Sequence, residues 1–189
     1  QTKIIAEGIR FLNQDKKYYL NLATGGGKSF IVYKMLQDLQ TTTILVFSPR
    51  KKINSQNMKD TYLSILNESQ PTTYFAINTS TDSNWEEQMQ TNLRGKLFIV
   101  CCTQSLAKMY KVILQSGLKD IAVWFDEAHW SIEKNAKETD NEAKRFFLTN
   151  QTQIGYRIFT SASPNITRVE DSPETVSYTH LRAHETNLD

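Results

Sequence analysis

The chain alternates between two periodicities. Short apolar runs, KYYLNL at 17–22, TTILVFS at 42–48, KLFIVCC at 96–102 and IAVWF at 121–125, are separated by longer stretches with helical spacing. Residues 2–13 place Ile4, Ile5, Ile9 and Leu12 on one helical face, and 28–40 do the same with Phe30, Ile31, Met35, Leu36 and Leu39. After Pro49 a helix is expected to about Leu66, followed by a strand at 72–77. Further helices are expected from Asn84, as N-cap, through Leu93, over about 104–115, and over 141–150, with a last strand at 156–163. The polar stretches 78–84 and 131–141 read as loops. Buried-type strands with helices between them predict an α/β domain: a mostly parallel sheet with helices on both faces. No internal repeat or linker interrupts it.

Composition changes this picture little. With 189 residues, 39% hydrophobic and 22% charged, the chain can build a core without disulfide or metal staples. A net charge of +2 permits a nucleic-acid partner without arguing for one. Cys101 and Cys102 are neighbours on an expected strand, where side chains point to opposite faces, so they do not pair. That fits a reducing, intracellular setting, cytoplasm or nucleoid, with a viral origin left open. No run is long enough to span a membrane.

Both ends read as cut. The chain starts at Gln1 without a methionine, and Val176 to Thr186 (VSYTHLRAHET) breaks from the periodic pattern. That string resembles the translation of a sequencing-library adapter, so residues 176–189 are expected to be a non-biological tail and 1–175 the domain, truncated at both ends. His180 and His184, spaced like helical metal ligands, are discounted with it. Without the tail's Arg182, Glu185 and Asp189 the net charge becomes +3.

The candidate chemistry begins at LATGGGKS, residues 22–29. A strand, a glycine turn (Thr24, Gly25, Gly26, Gly27) and Lys28-Ser29 at a helix start are the context of a phosphate-binding loop. Glycines let backbone N–H groups close around a phosphate, and the helix dipole favours its charge. Lys28 would reach the outer phosphates and the Ser29 hydroxyl would bind magnesium. One element departs from the full pattern: Leu22 stands where a glycine is usual. About a hundred residues later, an apolar strand ends in Asp126 and Glu127, at the sheet edge where open α/β folds bind ligands. Asp126 is a second candidate for holding Mg2+, and Glu127 for orienting a water that attacks the γ-phosphate. A P-loop kinase or small-molecule ATPase is the competing reading, and an inactive binding domain a third.

The motif set resembles the first RecA-like domain of superfamily-two helicases and translocases, whose motif I does not require the early glycine. DEAH (Asp126, Glu127, Ala128, His129) is similar to motif II. Ser161, Ala162 and Ser163 before Pro164 resemble motif III, FSPRKKINSQ (47–56) motif Ia, and CTQSL (102–106) motif Ib. Motif I here also differs from the G-E-T-G-S-G-K-T of the RNA-processing DEAH family. It looks closer to type III restriction subunits and UvrB-like repair enzymes, which favours DNA over RNA as partner.

The resemblance implies a helicase or translocase motor that uses ATP and Mg2+, with Gln1 as an adenine-reading residue. His129, Ser161, Ala162 and Ser163 would couple the nucleotide site to a strand groove. Pro49, Arg50, Lys51, Lys52, Thr103 and Gln104 would contact the strand. Arg50, Lys51 and Lys52 cluster just past a strand end, as phosphate contacts do. Thr103 has a simpler reading as the cap of the next helix. Trp124, Phe125 and Trp130 are expected in the core. Such enzymes hydrolyse ATP between two RecA-like domains, and the second is expected to be missing from this chain.

Overall fold

A computed structural model describes residues 1–39, 41–68, 70–128, 138–149 and 151–162. His129, Trp130, Ser163, Pro164, the expected tail 176–189 with His180 and His184, and most of the polar loop 131–141 lie outside them. Six parallel strands form one sheet: β1 (Lys17–Asn21), β2 (Thr43–Ser48), β3 (Tyr74–Asn78), β4 (Lys96–Cys102), β5 (Ile121–Phe125) and β6 (Ile154–Ser161), in the order β1-β6-β5-β2-β4-β3. The helices are α1 (Thr2–Asp15), α2 (Lys28–Asp38), α3 (Lys51–Asn57), α4 (Asp60–Asn67), α5 (Trp85–Thr91), α6 (Leu106–Ser116) and α7 (Glu138–Leu148). This is the RecA-like α/β architecture that the motif order implies.

Period-two alternation builds two cores, one on each face of the sheet. On β2, Leu45 and Phe47 face one core and Ile44 and Val46 the other. On β5, Val123 and Phe125 part from Ala122 and Trp124 in the same way. The first face is closed by α6 and α7 through Met109, Ile113 and Phe147, and the second by α1, α2 and α4 through Leu12, Met35 and Leu66. Trp124 and Phe125 are fully buried, as expected. Cys101 and Cys102 are both free and buried. Cys101 belongs to the first core, while Cys102 sits among polar groups at the C-terminal edge.

Three local expectations need correction. The single helix expected after Pro49 is two, broken at Met58 and Lys59. Asn57 accepts a hydrogen bond from the Tyr33 hydroxyl at 2.5 Å on its carbonyl, the group a continuing helix would use, and Lys59 is extended at ψ 139°. Asn84 stands at the N-cap of α5 but its side chain does not cap; its amide oxygen accepts from Gln88 Nε2 at 2.6 Å. Thr103 makes no capping bond either. It opens a 3₁₀ turn, Thr103–Ser105, that precedes α6.

Candidate active site

The C-terminal edge of the sheet gathers the motif residues. Asn21 at the end of β1 pairs in register with Ser161, and the Leu22 amide donates to the Ser161 carbonyl at 3.2 Å. The glycine turn then doubles back. Gly25 (φ 85°) and Gly27 (φ 77°) occupy left-handed backbone that side chains rarely adopt. Gly25 faces open space, as a cradle for a ligand should. A Cβ on Gly27 would lie 2.5 Å from Gln1 Nε2. Gln1 precedes α1, with its carbonyl bonded to the Ile5 amide, and its side-chain amide thus rests beside the turn. Gly27 starts α2, so Lys28 and Ser29 occupy the first turn.

Across this turn stands the acidic pair. β5 is flanked by β2 and β6, and the Asp126 amide is tied to the Phe47 carbonyl at 2.8 Å. The Asp126 side chain is 7% exposed, and burial pushes its carboxyl above the ordinary range, opposed by the Thr160 hydroxyl and Lys28. Thr160 donates to Asp126 Oδ1 at 3.0 Å and accepts from Trp124 Nε1 at 3.0 Å. Because the indole can only donate, the single hydroxyl proton of Thr160 is left for an acceptor, with Asp126 Oδ1 nearer than the Phe125 carbonyl at 3.5 Å. Glu127 has φ 55°, a strained geometry for a non-glycine residue. Its Oε1 accepts from Lys28 Nζ at 2.8 Å, and its Oε2 from the Ala162 amide at 3.3 Å.

Lys28, Ser29, Asp126 and Glu127 line one cleft of about 380 Å³ with the glycine turn. The open glycine cradle, a cation and a buried carboxylate fit a nucleotide's phosphates with a magnesium ion. Among the described residues no cluster of three or more His, Cys, Asp or Glu could hold a metal. Ser29 and Asp126 would therefore share the ion with phosphate and water oxygens, as magnesium prefers. The rest of the lining is Ala23, Phe30, Ile53, Gln56 and Tyr62, the last three from α3 and α4. None of these three stands among the expected site residues, although FSPRKKINSQ contains Ile53 and Gln56.

A second cleft, about 580 Å³, opens at the same edge. Pro49, Arg50, Lys51 and Gln104 line it, so the segments expected to contact a strand do come together. Lys52 is exposed on α3 and Thr103 half-buried in its turn, and neither lines the cleft. Thr79 and Ser80 do, and sequence reasoning missed them. The available signal was the polar run 78–84 immediately after an apolar strand. Beneath the cleft, buried Asn54 accepts from the Ser48 hydroxyl and donates to Ser80 Oγ at 2.9 Å and Cys102 Sγ at 3.5 Å. Of the expected coupling residues, Ser161 is fully buried and Ala162 touches Glu127, while His129 and Ser163 lie outside the described residues.

Comparison with known proteins agrees with this geometry. The family model described as "Type III restriction enzyme, res subunit" matches residues 1–158. No curated protein sequence matches significantly. Among solved structures, the DNA-bound type ISP restriction-modification enzyme LlaBIII is similar at TM-score 0.65 and 15% identity, over 86% of this chain and 12% of that one. A nuclease-deletion mutant of the type ISP enzyme LlaGI, in complex with a DNA substrate mimic, has TM-score 0.63 and 14% identity over 87% and 17%. The Hef helicase domain of Pyrococcus furiosus has TM-score 0.56 and 20% identity over 85% and 33%. The chain thus spans a third or less of these three matched chains.

Proposed function

The chain belongs to the family of type III restriction enzyme res subunits, and on that premise we propose that it is an ATP-hydrolysing motor domain that moves on DNA. The observation that carries the proposal is the Lys28–Glu127 pair, 2.8 Å across the cleft between the glycine turn and the acidic strand end. A lysine in a phosphate cradle facing a carboxylate beside a second, buried carboxylate is a set suited to phosphoryl chemistry. It has no evident structural purpose at a sheet edge.

In this reading the amides of the glycine turn and Lys28 take the β- and γ-phosphates of ATP. Entry of the phosphates draws Lys28 off Glu127, freeing that carboxylate to orient the attacking water. Magnesium, when bound, supplies charge neutralisation at the phosphates, with Ser29 and Asp126 as its protein ligands. Gln1, beside Gly27, is placed to meet the adenine. Pro49, Arg50, Lys51 and Gln104 hold one nucleic-acid strand by its phosphates in the second cleft, joined by Thr79 and Ser80. Ser161 and Ala162, tied to β1 and to Glu127, relay between the two clefts. DNA is favoured over RNA because the two type ISP enzymes of like fold were solved with DNA or a mimic of it.

Hydrolysis in such motors needs arginines from a second RecA-like domain, so this chain alone should bind ATP weakly and turn it over slowly. The test is titration with a fluorescent ATP analogue in magnesium, together with phosphate release. Lys28→Ala should weaken binding at least tenfold. Unchanged affinity in that variant would overturn the nucleotide assignment, and robust DNA-stimulated hydrolysis by the chain alone would overturn the need for a partner domain.

A further inference from the structure

Asn54 reaches from α3 across the ends of three neighbouring strands, and it is fully buried. Its amide oxygen accepts from the hydroxyl of Ser48, the last residue of β2. Its Nδ2 donates at 2.9 Å to the hydroxyl oxygen of Ser80, two positions past β3. The same Nδ2 lies 3.5 Å from the thiol of Cys102, which ends β4. The two contacts to oxygen have the lengths this arrangement requires. The O–H···O contact to Ser48 is the shorter, and 2.9 Å is ordinary for N–H···O.

This order of donors decides what Ser80 has left. Its oxygen already accepts from Asn54, so its one proton must find an acceptor elsewhere. The Cys102 sulfur lies 3.5 Å away and is a weak acceptor. Ser80 is half-buried and lines the basic cleft with Arg50 and Lys51, so the other direction open to the proton is the cleft itself. The backbone here is already engaged. The Thr79 amide donates to the Val100 carbonyl at 3.0 Å, and the Ser80 amide to Asn78 Oδ1 at 3.0 Å. A strand lying in the cleft therefore meets a hydroxyl at this point rather than an amide.

We propose that Asn54 is a positioning residue for the strand cleft: by donating to Ser80 it turns that hydroxyl's proton outward, to a phosphate oxygen of the strand. This rests on the strand assignment made above. A charged phosphate oxygen is a far stronger acceptor than a thiol, so it takes the Ser80 proton in preference to Cys102. Ser48 keeps the Asn54 amide the right way round, because its hydroxyl proton occupies the amide oxygen. Arg50 and Lys51 bring charge to the cleft, and the Ser80 hydroxyl adds a directed bond that fixes where one phosphate lies.

The experiment is a double-mutant cycle on oligo-dT binding, read by fluorescence anisotropy. Ser80→Ala should weaken binding about tenfold, the loss of a hydrogen bond to a charged group. It should leave the salt slope unchanged, because no charge is removed. Asn54→Asp keeps the size of the side chain but offers only acceptors, so it draws the Ser80 proton inward and leaves lone pairs toward the cleft. It also brings a charge, whose repulsion acts whether or not residue 80 has a hydroxyl. The loss caused by Asn54→Asp should therefore be about tenfold larger in the wild-type background than in Ser80→Ala. A residue that served only the fold would cost the same in both backgrounds. Losses equal within about twofold overturn the proposal, and so does a Ser80→Ala chain that binds as tightly as wild type. If Asn54→Asp does not fold, Ser48→Ala decides by the same limit, since it adds no charge and frees the Asn54 amide to turn its oxygen to Ser80. A wild type that does not bind oligo-dT is a different result: it removes the strand assignment, and the role of Asn54 with it.

Discussion

Asp126 is expensive to keep. Burial raises its carboxyl above the ordinary value of 3.8, so over that interval the folded chain holds a proton that the unfolded chain has released. Its contribution to stability is therefore fully present below the ordinary value and is lost as pH rises through the raised one. Asp126→Asn keeps an oxygen for Thr160 and removes the buried charge. It should raise Tm at pH 7 by about 2–4 °C, the shift expected for roughly 1 kcal/mol in a chain of this size, and flatten the stability profile above pH 4. Melts followed by circular dichroism from pH 4 to pH 7 check this; a variant melting below wild type at pH 7 contradicts it. Asp126 itself was legible in the sequence, as were Lys28 and Glu127, because each sits at a fixed offset from a strand or a glycine turn. Thr160, Asn54 and Asn57 were not. Their partners are distant in the chain (Thr160 bonds Asp126, 34 positions away), and no local pattern marks such a pair.

Strands were easier to read than the joints between elements. Apolar runs of five to seven residues locate β2, β4 and β5 because a strand buried on both faces has no polar positions to blur it. The break between α3 and α4 escaped, because its cause is a hydroxyl on another helix. Arg157 escaped for a similar reason. It lies in a strand, where an arginine ordinarily reads as solvent-facing, yet it is fully buried. Its Nε donates to the Phe147 carbonyl at 3.0 Å and its guanidinium also reaches the Thr149 carbonyl, satisfying carbonyls at the end of α7. Arg157→Met should cost about 3 kcal/mol, since hydrogen bonds from a charged donor are lost and buried carbonyls are left unpaired. Tm should fall by about 6–12 °C. A decrease under 2 °C in a thermal melt would show that the α7–β6 joint does not depend on this side chain.

The molecule as a whole carries little charge, +2 over 189 residues, so attraction to a nucleic acid must come from where its cations sit. Arg50, Lys51 and Lys52 stand together at the start of α3. If all three neutralise phosphates of a single strand, log K should fall with log salt at a slope near −2, from about 0.7 per contact. Replacing all three by Ala should bring the slope toward zero and weaken oligo-dT binding at 50 mM salt far more than at 300 mM. Fluorescence anisotropy across that range tests it, and an unchanged slope would move the strand elsewhere. Lys52 does not line the cleft, so a slope nearer −1.4, two contacts rather than three, would indicate that it takes no part.

The sheet order has a bearing on time as well as space. Among the described strands β1 has one neighbour, β6, and the two pair residue for residue up to Asn21 and Ser161, 140 positions apart. The stretch that carries the glycine turn is thus made well ahead of the strand that holds it in place. At about 5–20 residues per second, β1 waits roughly 7–28 s for its partner to be made. Through that interval the nascent chain carries a glycine turn with no second wall, so on the function proposed above it could not trap ATP before the rest of the domain exists to use it.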